Sequence, residues 1–146
     1  MLKQRCAFGL FFVLLLLVFV GCGRDGATTS SGSPNSTQNV QVTLTDFKVS
    51  SSMTTFSAGT PYHFVVKNEG KTAHEFMVMQ PMAMGNMPMD QMDKMAYTFI
   101  DTLTPGETKS VDYTFSSSAS GKNIEFSCHL SGHYEAGMKL PITVKA

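Results

Sequence analysis

The stretch Phe126–Val144 reads FSCHLSGHYEAGMKLPITV. It opens and closes on apolar residues spaced by two: Ile124, Phe126 and Cys128 lead in, and Leu140, Ile142 and Val144 lead out. That period marks strands with one buried face, so Cys128 turns towards the core. A buried free cysteine is ordinary packing when it stands alone. Here it opens a loop that also holds His129, His133 and Met138. Gly132 and Gly137 let the loop turn back sharply, so that His133 and Met138 can face the same point as Cys128.

The same period recurs outward from this stretch. Val40, Val42 and Leu44 alternate with polar residues, as do Tyr62, Phe64 and Val66, and Val111, Tyr113 and Phe115. His74 shares a face with Phe76 and Val78, and Phe99 lies in another strand-like run, AYTFIDTL. Turn signals (SAGT, NEGKT, TPGET, SASGK) separate the runs. Seven or so short strands predict an all-β domain, an antiparallel sandwich or barrel. Residues 80–96 interrupt the pattern. Pro88 suits a first helical turn and MDQMDKM follows without a breaker, so a short helix is expected there.

The N-terminus reads differently. Lys3 and Arg5 precede the apolar run Ala7–Val20, which ends in GCGRDG. This is the form of a secretory signal, residues 1–21, and the run falls short of the roughly 20 apolar residues of a comfortable span. Phe19-Val20-Gly21-Cys22 resembles a bacterial lipoprotein signal, which implies lipidation of Cys22; an ordinary signal peptide and an uncleaved anchor are the alternatives. Residues 22–39 are rich in Gly, Ser and Thr and read as a flexible tether, leaving residues 40–146 as the folded domain. Export implies an oxidising compartment. Cys6 lies in the signal and Cys22 is the lipidation candidate, so Cys128 has no partner for an intramolecular disulfide. Without Lys3 and Arg5, nine basic residues face 11 acidic ones, near −2, which argues against nucleic acid as a partner.

Cys128, His133 and Met138 follow one another with four residues between each pair, and His74 offers a fourth donor from another strand end. One thiolate, two imidazoles and a thioether suit a copper electron-transfer site, because the sulfurs favour Cu(I) and the imidazoles suit Cu(II). Zinc accepts Cys and His, but methionine is a poor zinc donor. A Cys–His nucleophile leaves His74 and Met138 without a role. Four histidines are too few for a multicopper oxidase, and one loop cysteine is too few for a thiolate-bridged dinuclear centre. His129 follows Cys128 directly and so points the other way; it reads as a surface residue or one standing behind the ligands. His63 reads as a solvated strand residue.

Two motifs resemble the cupredoxins, the blue copper proteins that include rusticyanin, plastocyanin and azurin. NEGKTAHEF (68–76) is similar to the family's Asn-x-Gly turn and first ligand histidine. FSCHLSGHYEAGMKLPITV is similar to its Cys…Gly-His…Gly-Met loop, with spacing closer to rusticyanin than to plastocyanin. The resemblance implies a Greek-key β-sandwich and one type 1 copper held by His74, Cys128, His133 and an axial Met138. It also implies an electron carrier, not an enzyme, that serves a protein redox partner such as a cytochrome or oxidase. The methionine-rich insertion is a departure from the family pattern.

That insertion, MVMQPMAMGNMPMDQMDKM (77–95), holds eight of the 11 methionines. Met77 and Met79 lie in a strand and read as packing. Met82, Met84, Met87, Met89, Met92 and Met95 are candidates for a secondary Cu(I) site; gap-filling, partner docking and a sink for oxidants are the other readings. Two functions follow: a lipid-tethered electron carrier outside the cytoplasm, or a copper-binding and copper-delivery protein that works with other copper-handling proteins.

Overall fold

Nine strands and one short helix carry the described residues, 36–82 and 87–146 of the computed structural model. The expected signal, Cys22 and most of the tether fall outside those residues, as does Met84. In chain order the strands are β1 (Gln38–Thr45), β2 (Lys48–Ser51), β3 (Thr55–Ser57), β4 (Pro61–Asn68) and β5 (His74–Met79). After helix α1 (Met89–Asp93) come β6 (Thr98–Leu103), β7 (Thr108–Thr114), β8 (Ile124–Ser127) and β9 (Lys139–Lys145). The first strand thus begins two residues before the expected edge of the domain.

The strands form two sheets, β2-β1-β4-β7 and β3-β9-β8-β5-β6. The expectation of a purely antiparallel fold needs correction, because β1 pairs parallel with β4, and β3 with β9. Each sheet turns its alternating apolar face to a shared core. Val40, Val42, Leu44, Phe64 and Val66 meet Phe76, Val78, Ile124, Phe126 and Val144 there, all at most 2% exposed. Phe56, Phe64, Phe76 and Phe126 form an aromatic chain across it, with ring centroids 5.1–6.0 Å apart.

The adjacent strands β5 and β8 are buried on both faces. One face belongs to the main core. On the other, Met77, Met79 and Met92 form a second, smaller cluster, with Met82, Met87, Met89 and Ala96 packed against it. The insertion is therefore a lid on the sheet. Pro88 stands at the start of α1 as expected, and α1 contributes Met92, fully buried. The Tyr97 N–H donates to the Val78 carbonyl at 2.7 Å and returns the chain to the sheet.

Candidate metal centre

Asn68 ends β4 and is fully buried. Its Nδ2 donates to the carbonyls of Thr72 and Leu103 at 2.8 and 2.9 Å, and its Oδ1 accepts the Gly70 N–H at 2.8 Å. Asp46, in the turn between β1 and β2, grips the same loop by accepting the Lys71 N–H at 2.9 Å. Held from both sides, the loop delivers His74 to the head of β5. From the other end of the site, Cys128 follows β8, and the Cys128 N–H donates to the Met138 carbonyl at 3.1 Å. This bond closes the loop that carries His133. Gly132 and Gly137 take positive φ angles of 81° and 97°, as the sharp return of the chain requires.

The three strongest donors meet. His74 Nδ1 lies 3.2 Å from His133 Nδ1, and Cys128 Sγ lies 3.4 Å from the same nitrogen. All three donor atoms fall within 4.8 Å of one another. Met138 is fully buried in the core cluster that contains Cys128. Burial pushes the Cys128 thiol up to about 11, against N–H groups of Glu75 and Leu130 that favour the thiolate. A bound metal must displace that proton. Burial, then the neighbouring His133, lowers the His74 pKa and so favours the neutral ring that ligation needs. Buried thiol, paired imidazoles and thioether fit copper better than zinc.

Sequence reasoning missed three residues here. Phe47 carries an unusual positive φ of 62° for a bulky side chain, and its half-exposed ring stands edge-on to His133 at 5.4 Å. Asp46 Oδ1 lies 3.5 Å from His74 Nε2, a weak contact that leaves this buried nitrogen without a hydrogen bond. Nothing in the short polar–aromatic turn that holds both residues signals their place. The third, Glu75, touches the site twice. Its backbone N–H points at Cys128 Sγ from 3.5 Å, and its carboxyl accepts the His129 N–H at 2.6 Å.

His129 takes the second of its two expected places: it stands behind Cys128, pointing away from His74 and His133, and is fully buried rather than on the surface. Its ring stacks on Tyr134 with centroids 4.4 Å apart. The cause is the methionine lid and the Tyr134 ring, which cover the outward face of β8. His63 is partly exposed and lies 2.6 Å from Asp112. Of the suggested secondary donors, Met92 is buried, Met82, Met87 and Met89 are partly buried, and Met95 is 53% exposed.

Two predictions arise from this geometry. A Cβ on Gly70 would stand 2.6 Å from Asp46 Oδ1 and 2.7 Å from His74 Nε2. Gly70→Ala is expected to tilt the His74 ring and weaken copper binding by about 10- to 100-fold, with an altered paramagnetic resonance spectrum. An unchanged spectrum would mean that Asp46 alone gives way. The second prediction concerns pH. Burial pushes Glu75 up to about 7 from the ordinary 4.5. The copper-free fold thus keeps a proton that the unfolded chain releases earlier. The resulting stability is whole below pH 4.5 and is lost as pH rises to about 7, by up to about 3 kcal/mol. Urea unfolding at pH 5 and pH 7.5 should show this decline, and Glu75→Gln should flatten it.

The comparisons with known proteins agree with this architecture. No protein-family model matches the sequence. The copper-resistant cuproprotein CopI of Pseudomonas aeruginosa is 26% identical over 141 residues, covering 74% of this chain and 76% of its own length. Dithionite-reduced auracyanin from Roseiflexus castenholzii superposes with a TM-score of 0.56 at 17% identity, over 77% of this chain and 99% of that one. Auracyanin B gives 0.58 at 22% identity, over 75% and 89%. An azurin (Az-iso2) from Methylomonas sp. strain J gives 0.58 at 16% identity, over 76% and 100%. Two curled sheets with a His–Cys–His group and a buried Met at one end give this chain the cupredoxin fold.

Proposed function

We propose that His74, Cys128, His133 and Met138 hold one type 1 copper, and that the protein carries single electrons. The convergence of His74, Cys128 and His133 donor atoms within 4.8 Å carries this reading. Bound copper would supply a one-electron Cu(II)/Cu(I) couple. The protein's part is to hold the donors still. Asn68 and Asp46 fix the His74 loop, the Cys128–Met138 backbone bond closes the ligand loop, and Phe47 shields His133 beside solvent. With the donors fixed, little has to move when an electron arrives.

The reading extends to a lipid on Cys22, a tether to residue 39, a membrane anchor on the periplasmic or extracellular side, and a protein redox partner rather than nucleic acid. The test is metal analysis with a visible spectrum of the full chain. One copper per chain and an intense band that dithionite bleaches are expected. A copper-loaded, oxidised protein without that band would defeat the electron-transfer reading.

A second reading is copper binding or delivery in copper resistance. The likeness to CopI and the buried methionine cluster favour it. The two readings share the same centre and differ in whether the methionines take up copper.

A further inference from the structure

The outward face of β5 and β8 carries an unusual set of buried groups. Opposite residues in the ladder are Met77 with Ser127 and Met79 with Glu125, so these four side chains share one face. His129 continues the row on β8. Its Nε2 lies 3.0 Å from Ser127 Oγ, which lays the imidazole along that face towards Ser127, the ladder partner of Met77. Its Nδ1 is buried and has no hydrogen-bond partner. Tyr134 stacks on the ring, and its hydroxyl donates to Glu125 at 2.6 Å, opposite Met79. The backbone of Met82 reaches the same phenol oxygen. Met92 descends from α1 and packs on Met77 and Met79.

An unsatisfied buried nitrogen is unusual in a folded protein, and this one belongs to the sheet face that Met77 and Met79 share. A neutral imidazole nitrogen with thioether sulfurs is a soft donor set. The carboxyls of Glu75 and Glu125, both at most 6% exposed, stand on the same face, where a bound cation would favour their charged forms. The methionine lid excludes water, which disfavours hard, strongly hydrated ions.

We propose that His129, Met77, Met79 and Met92 form a second metal site, selective for a soft monovalent ion of the Cu(I) class, behind the first. It rests on the reading that this protein handles copper. Consecutive residues would then serve two centres: Cys128 faces one and His129 the other, through the same sheet. The exposed Met95 has no part in it, and Met77 and Met79, which read as packing in the sequence, do.

The test uses the full chain and a Cu(I) competition titration, with the visible band as an independent report on the first centre. Wild type should take up two Cu(I). Met77→Leu/Met79→Leu/Met92→Leu, which keeps the volume of the cluster, should take up one and retain the band after oxidation. His129→Phe should also lose the second ion. A measurement without any variant supplements these: in wild type holding one Cu(I) per chain and labelled at the methionine methyls, Ag(I) should shift the resonances of Met77, Met79 and Met92. The proposal is overturned if wild type binds one Cu(I) only, or if the second ion survives the triple substitution. It is likewise overturned if Ag(I) shifts Met87, Met89 and Met95 instead. If two ions bind and no visible band forms, the second site stands and the electron-transfer reading falls.

Discussion

Cys128→Ser is expected to abolish the intense visible absorption of the oxidised, copper-loaded protein. The band needs a thiolate that can give an electron to Cu(II) in the excited state, and a serine hydroxyl at the same place cannot replace it. Copper affinity should fall with it. Loss of a group behind a ligand already costs about 10- to 100-fold, so loss of the sulfur donor itself should cost on the order of 100-fold or more. The fold should survive, because serine is slightly smaller than cysteine and the backbone bond to Met138 remains. The check is a visible spectrum and a copper competition titration, with circular dichroism to show that the variant is folded. A variant that kept the band would remove Cys128 from the centre.

Phe126→Ala is expected to give the largest loss of stability of a single core change. Phe126 is fully buried on β8, two residues before Cys128, and its ring meets Phe56, Phe64 and Phe76 at centroid distances of 5.1–5.7 Å. Truncation removes one of the aromatic contacts between the sheets and leaves a cavity that neighbours in two tight layers cannot fill. The expected cost is about 3–5 kcal/mol. Domains of this size have only about 5–15 kcal/mol in all. The copper-free variant should therefore unfold at much lower urea than wild type. A loss under about 1 kcal/mol would show that the core collapses around the missing ring.

Much of this was legible in the sequence. The seven strands read from alternation all exist, because in each the apolar residues recur every second position and turn towards one side of a sheet. The short helix after Pro88 exists as well. Strands β2 and β3 were not legible, since KVSS and TFS are too short to show a period. The parallel pairings were equally hidden, because alternation fixes which face a residue takes and not which strand lies beside it. In the site, His74, Cys128 and His133 could be found from donor chemistry and spacing. Glu75 and His129 could not be placed: alternation sends both to the outward face, and only the three-dimensional path of the methionine segment covers that face. Phe47 depends on a backbone angle that no residue pattern announces.

The position of β9 has a consequence for biosynthesis. This last strand is not an edge; it lies between β3 and β8 and joins β3 to the rest of its sheet. Met138 immediately precedes it. A growing chain therefore lacks an interior strand and one candidate donor until Met138 and β9 have been made. Pairing β3 with β9 also spans most of the domain, a contact that forms slowly. Until β9 docks the sheet stays open, so the sheet and the candidate centre close together, late in folding.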